Sequence, residues 1–287
     1  MNLRKLVCPY DTSLIRSFSR REIAVRVDSP LLVRDAADVV RALGNNLICV
    51  ILDSTKPLDA APLQNEWKGV PLALVTASVG KFREVVKKLP LLRELNIRVC
   101  LPASNENIRD VRILSSAGVP STIMINGPEV DWDALSDLMT YSLFGRIPHA
   151  PIGPFDYIVH HYDSAPHLCW GAAFFEDPQQ FFHIDNKRNV ALSREELLAE
   201  KFIGCIDEVE KAGSREIENM TDAWKRVFTE KSTCATCAGF KLCLGIITPK
   251  NGQAKRCSAF FSEMLEALED LRLMREKALA EQKTWRL

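Results

Sequence analysis

The chain has 287 residues, of which 47% are hydrophobic and 26% charged, and its 37 Lys plus Arg balance 37 Asp plus Glu. That length and composition support a packed core and exclude disorder, and a zero net charge argues against a general nucleic-acid or anionic-membrane binder. No stretch approaches the ~18 uninterrupted apolar residues of a membrane span, and no apolar segment follows the basic start Met1–Pro9, so no secretory leader is read there.

The nine cysteines are therefore expected in a reducing cytoplasm. In that setting clustered cysteines point to metal or redox chemistry rather than disulfides.

The first half repeats. Apolar, β-rich runs begin at Ile23, Leu47, Pro71, Ile97 and Ser121, spaced 24, 24, 26 and 24 residues apart. Helix-compatible stretches lie between and after them, at 33–43, 81–92, 105–117 and 131–144. The runs are apolar almost throughout rather than alternating, which is the pattern of parallel strands covered on both faces. Right-handed crossovers at this period build an open or closed α/β barrel. A leucine-rich repeat has a similar period, but its asparagine ladder is missing and the helical stretches are too long. Ser104 or Asn105 and Asp131 are candidate N-caps, and Gly118 is placed to end a helix. A sixth run, Phe155–His160, either continues the barrel or forms a transition. The expected fold is a partial or degenerate (β/α) barrel of about five to six parallel strands over residues 1–150.

From Gly145 to Pro178 prolines and glycines are dense, which reads as an irregular connector. Gln180–Leu192 reads as a β-hairpin around a polar turn, Glu195–Lys211 as a helix, and Thr221–Thr229 as a short helix. Residues 151–230 thus form a connector, and 231–287 a cysteine-rich module that ends in a helix. That helix runs from Ser258 to about Lys283, with Phe261, Met264, Leu265, Leu268 and Leu271 on one side.

Cys234, Cys237, Cys243 and Cys257 are spaced C-x2-C-x5-C-x13-C. A C-x2-C turn points two thiolates into one volume, and two further cysteines complete a four-thiolate shell. Gly239 and Gly245 allow the tight backbone such a loop needs. Structural zinc more often uses two C-x2-C knuckles. A single knuckle with two dispersed cysteines suits the four corners of a [4Fe–4S] cluster, with zinc as the alternative. Between Lys225 and Cys257 seven basic residues face one acidic residue, Glu230, and this charge offsets that of four thiolates. Unligated thiols in a solvated basic loop are the blander alternative.

This block resembles the SPASM domain, the auxiliary-cluster module of radical SAM peptide maturases, whose run is C-x2-C-x5-C-x3-C with a further downstream cysteine. Cys234, Cys237, Cys243 and Cys257 match the set that holds auxiliary cluster II in that family. The x3 cysteine, a ligand of auxiliary cluster I, is replaced by Ile247. The hairpin at Ile184–Ser193 resembles the family's hairpin but lacks its cysteine, and Cys169 alone cannot hold a second cluster. Radical SAM enzymes carry C-x3-C-x2-C after the first strand, and it occurs nowhere here. In place of their SAM-binding Gly-Gly-Glu-Pro stands Ser54-Thr55-Lys56-Pro57, and a Lys cannot accept a hydrogen bond from an ammonium group. The chain as a whole resembles the stand-alone SPASM-domain proteins of GeoRSP-type systems. That resemblance implies an accessory protein that does not cleave SAM. Its implied partners are a radical SAM/SPASM maturase, a PqqD-like peptide chaperone or a precursor peptide.

Other residues are read more plainly. Cys49 and Cys100 fall inside apolar strands as core residues, and Cys8 reads as a candidate exposed thiol. His149, His160, His161, His167 and His183 match no ligand template and read as ordinary polar histidines. Asp28 and Asp53 fall at strand C-termini, where barrel enzymes place catalytic groups, and they carry the alternative of a small barrel hydrolase or lyase.

Overall fold

A computed structural model describes residues 4–125, 130–163, 168–211, 232–245, 247 and 253–284. Each of the five repeating apolar runs holds a parallel strand. The strands are β1 (Lys5–Pro9), β2 (Glu22–Val27), β3 (Asn46–Asp53), β4 (Leu72–Val75), β5 (Arg98–Pro102), β6 (Ser121–Met124), β7 (Ile152–Gly153), β8 (Phe181–Ile184), β9 (Asn189–Ala191) and β10 (Gly204–Cys205). They form one ten-stranded sheet in the order β10-β9-β8-β1-β2-β3-β4-β5-β6-β7. Pairing is parallel from β8 through β7, and β9 pairs antiparallel with both β8 and β10, so among these strands β9 alone runs against the others. The sheet keeps two edges, β10 and β7, so the fold is α/β without barrel closure among the described residues.

Helices follow the strands: α1 (Thr12–Arg16), α2 (Val33–Ala42), α3 (Phe82–Glu94), α4 (Asn105–Ser116) and α5 (Trp132–Phe144). Neighbouring strands are consecutive, so right-handed crossovers put these helices on one face. Ser104 caps α4 through the N–H of Asn107, and Asp131 caps α5 through the N–H of Ala134. Gly118 follows α4 at φ +80°, a backbone that favours glycine.

The opposite face carries a row in register across four strands, Arg26, Ile51, Ala73 and Arg98. A short 3-10 turn, Trp170–Phe174, covers part of that face. After the hairpin β8–β9 come α7 (Arg194–Leu198) and α8 (Ile206–Lys211), then α9 (Ser232–Ala235), α10 (Phe240–Cys243) and the long α11 (Ala254–Thr284).

Four expectations are corrected. The strand β1 is unforeseen, since its three apolar residues lie between Lys5 and Pro9, and pairing with β2 and β8 on either side is what makes it a strand. Cys8 lies within it and is 1% exposed, not a surface thiol. The run Phe155–His160, read as either continuing the barrel or forming a transition, does not add a strand: it is helix α6 (Phe155–His161), which starts after Pro154 and buries Phe155 and Ile158, three positions apart. The helix expected over 195–211 breaks in two: Glu200 turns left-handed at φ +53°, Ile203 donates to Val190, and Gly204–Cys205 pairs with β9. The hairpin stands where it was expected, and the helix expected from Ser258 starts slightly earlier, at Ala254. The short helix expected at 221–229 lies outside the described residues.

Because β1 precedes the repeat, the strands read as first and second are β2 and β3. The loops after β1 and β2, counted anew, likewise hold no cysteine triad: Asp11 caps α1, and Ser29 caps a 3-10 turn at Pro30–Leu32.

Candidate metal centre

Cys234 lies in α9, Cys237 just beyond it, Cys243 ends α10, and Cys257 sits in the first turn of α11. All four line one small cavity, whose other walls include Phe240, Ile247 and Phe261. The chain reverses after α10 through Leu244 and Gly245, both left-handed at φ +50° and +75°. Gly245 is needed for that conformation. Gly239 is needed for another reason: a Cβ there would lie 2.0 Å from the Cβ of Phe261. Its missing side chain is what lets the cysteine loop rest on α11.

Cys243 and Cys257 are buried, whereas Cys234 and Cys237 are half-exposed. Burial pushes the Cys243 thiol up to about 11, against backbone hydrogen bonds at Ile247 and Gly245 that pull it down. Burial pushes Cys257 up to about 12, and the neighbouring charges of Cys243, Cys237 and Cys234 add to this. Ionising one of these sulfurs thus raises the cost of ionising the next, as four donors around one cavity require. The donor set fits a four-thiolate centre. The space between the donors is about 30 Å³, roughly one water's worth, so a larger occupant requires the half-exposed knuckle to move outward. Among the described residues, no three His, Cys, Asp or Glu side chains are placed ready to hold a single ion.

Ile247, where the resembling family has a cysteine, is buried in the wall of this cavity. Cys169 is buried near Cys243, a proximity with no sequence signal, and burial holds its thiol well above the usual range. Four of the seven basic residues noted around the block, Lys225, Arg226, Lys231 and Lys250, lie outside the described residues. Lys241, Lys255 and Arg256 are exposed beside the cysteines in sequence.

The centre is tied to the sheet by aromatic packing. Trp170 meets Phe261 at 5.4 Å, Phe260 at 5.9 Å and Phe155 at 5.5 Å between ring centroids, all three edge-on. Trp132 of α5 packs on Phe260 at 5.5 Å.

The candidate carboxylates do not come together as a catalytic pair. Asp28 is exposed past β2, and both oxygens of Asp53 are held by Arg26 and Arg194. His160 and His161 place their Nδ1 atoms against carbonyls of their own helix. His167 lies outside the described residues. His183 is fully buried, with Nε2 3.0 Å from the Phe175 carbonyl, and burial pushes it down to about 3. It is thus a neutral core histidine. Cys49 and Cys100 are core residues, as expected. Arg26, Arg98, Glu176 and Arg194, which line a second cavity, went unnoticed in the sequence. Only an arginine interrupting an apolar strand, at positions 26 and 98, could have flagged them.

No family model matches the chain, and comparison with curated proteins and with solved structures finds no match. No described helix is long and apolar enough to cross a membrane.

Proposed function

We propose that the chain is a cytoplasmic iron–sulfur accessory protein for radical SAM peptide maturation, with one [4Fe–4S] cluster on Cys234, Cys237, Cys243 and Cys257 and no SAM cleavage of its own. The observation that carries this reading is the meeting of these four cysteines, drawn from α9, α10, α11 and the turn between, at one apolar cavity. Four thiolates in one volume repel each other unless cations sit among them, and a metal favours the deprotonated form that burial disfavours at Cys243 and Cys257. One knuckle plus two dispersed cysteines supports a cube, with one thiolate per iron, over a single zinc.

Bound there, the cluster would supply one-electron transfer to a partner or brace a docking surface. The chain's own contribution is placement. Gly239 seats the loop on Phe261, and Phe261 contacts Trp170 on the sheet face. The partners this reading takes are a radical SAM/SPASM maturase, a PqqD-like chaperone or the precursor peptide. Four cysteines saturate four irons, so no iron keeps the open position that the amine and carboxylate of SAM require.

Anaerobic purification with iron supplied is expected to yield about four irons and four sulfides per chain. One tight zinc without sulfide would overturn the cluster. The reconstituted protein with SAM and dithionite is expected to make no 5′-deoxyadenosine, and production above a no-protein control would sink the accessory reading. Added to the partner maturase, the protein should change its turnover or peptide binding, and Cys243→Ala should remove that effect.

A further inference from the structure

We infer that the cavity on the sheet face opposite α1–α5 is a second binding site, for a small organic carboxylate with an apolar body. The cavity measures about 330 Å³, within the range of small-molecule sites. Its floor is the in-register row in which Ile51 and Ala73 lie between Arg26 and Arg98. Three strand spacings put the two arginine Cα atoms about 14 Å apart. Ala73 is the small residue of the row, and Phe174 and Phe175 form the far wall. Phe175 holds φ +70°, a conformation costly for a bulky residue and concentrated at functional sites.

The charge balance calls for an anion. Arg26, Arg98 and Arg194 all line the cavity, against one acid, Glu176. Asp53 sits between Arg26 and Arg194 and can neutralise only one of them. The Nε of Arg26 is buried without a hydrogen-bond partner. Arg98 makes no ion pair among the described residues. Burial pushes Glu176 up to about 7, so it offsets the excess charge only in part near neutrality. The thiols of Cys49 and Cys100, pushed up to about 12 and about 11 by burial, stay neutral and act as apolar lining. With Ile51, Val75 and Met124 also lining the cavity, an inorganic anion would leave most of the wall unsatisfied. A carboxylate with an apolar body satisfies both halves.

The test is calorimetric titration of octanoate into the cluster-loaded protein. Octanol and inorganic phosphate serve as probes that each lack one half of the proposed ligand. Saturable one-to-one octanoate binding is expected, with octanol and phosphate at least about tenfold weaker. Arg98→Gln, at an exposed position, should weaken octanoate roughly tenfold, the worth of one charge-assisted hydrogen bond. Ala73→Leu, shown to fold by its unfolding transition, should fill the floor and abolish binding. The site uses none of the four metal-centre cysteines, so Cys237→Ser should bind octanoate like the unaltered protein even if the cluster reading fails. Absence of saturable octanoate binding, octanol binding as tight as octanoate, or octanoate affinity unmoved by both variants would each overturn the site.

Discussion

Asp53 and Arg194 stand 141 positions apart in the chain and meet in a two-pronged ion pair, with Nη1 donating to Oδ1 at 3.1 Å and Nη2 to Oδ2 at 3.0 Å. Arg26 Nη1 donates to both oxygens at 2.9 Å. The end of β3 is thereby fastened to the segment after the hairpin. Asp53 serves here as a clamp between two cations, and neither oxygen is left over to act as a base.

Asp53→Asn should therefore destabilise the fold, because it leaves two guanidinium groups facing each other. The Asp53 side chain is 24% exposed, so the cost falls between a surface and a buried pair, about 1–3 kcal/mol. Denaturant unfolding measures it. Adding Arg26→Met to Asp53→Asn should recover part of the loss. Full stability in Asp53→Asn alone would show that the clamp contributes nothing.

Gly239→Ala should dislodge the cysteine loop, because its methyl would lie 2.0 Å from the Cβ of Phe261 and 3.1 Å from its Cα. Overpacking of this kind costs roughly 1–3 kcal/mol. The effect should be local, seen as faster proteolysis around Cys234–Cys243 with the sheet intact. Gly245→Ala places a methyl at φ +75° and should cost about 1 kcal/mol. Proteolysis of Gly239→Ala at the rate of the unaltered protein would contradict the close contact.

Before metal loading, Cys237, Cys243 and Cys257 should differ in reactivity. Cys243 and Cys257 are buried with thiols pushed up to about 11 and 12, whereas Cys237 is half-exposed. A short iodoacetamide pulse at pH 8 should label Cys237 well ahead of the other two, because the thiolate is the nucleophile. Loading should release protons and strengthen as pH rises. Peptide mass spectrometry reads the order, and equal labelling of Cys237 and Cys243 would refute it.

Glu176 and His183 give opposite pH dependences. The carboxyl of Glu176 goes from an ordinary 4.5 up to about 7 on folding, chiefly through burial, so the folded state binds more protons across that window. Stability is then lost as pH rises from 4.5 to 7. His183 goes from 6.5 down to about 3, also through burial, so it loses stability as pH falls from 6.5 toward 3. Glu176→Gln keeps an acceptor for the Arg194 N–H and removes the ionisation penalty. It should raise the unfolding temperature more at pH 8 than at pH 5. An equal shift at both values would mean that Glu176 ionises in the folded state as readily as in the unfolded chain.

The parallel strands β2–β6, the helices α2–α5, the caps at Ser104 and Asp131 and the four-cysteine spacing were all legible in the sequence. Each is a local signal: an apolar run of strand length, a polar residue ahead of a helix, or a cysteine spacing within 24 residues. What the tertiary structure decided was non-local. Lys5–Pro9 is a strand because β2 and β8 flank it, and Cys8 is buried for the same reason. Cys205 pairs with Asn189 because the chain turns back at Glu200. Gly239 is a glycine because Phe261, in a different helix, comes to rest against it. The second cavity depends most of all on assembly. Arg26, Ala73, Arg98 and Glu176 have no common spacing or motif, and only strand register and the turn at Phe174–Phe175 bring them to one surface. Contacts that close long loops carry no periodicity, so their residues stay unmarked until the sheet is built.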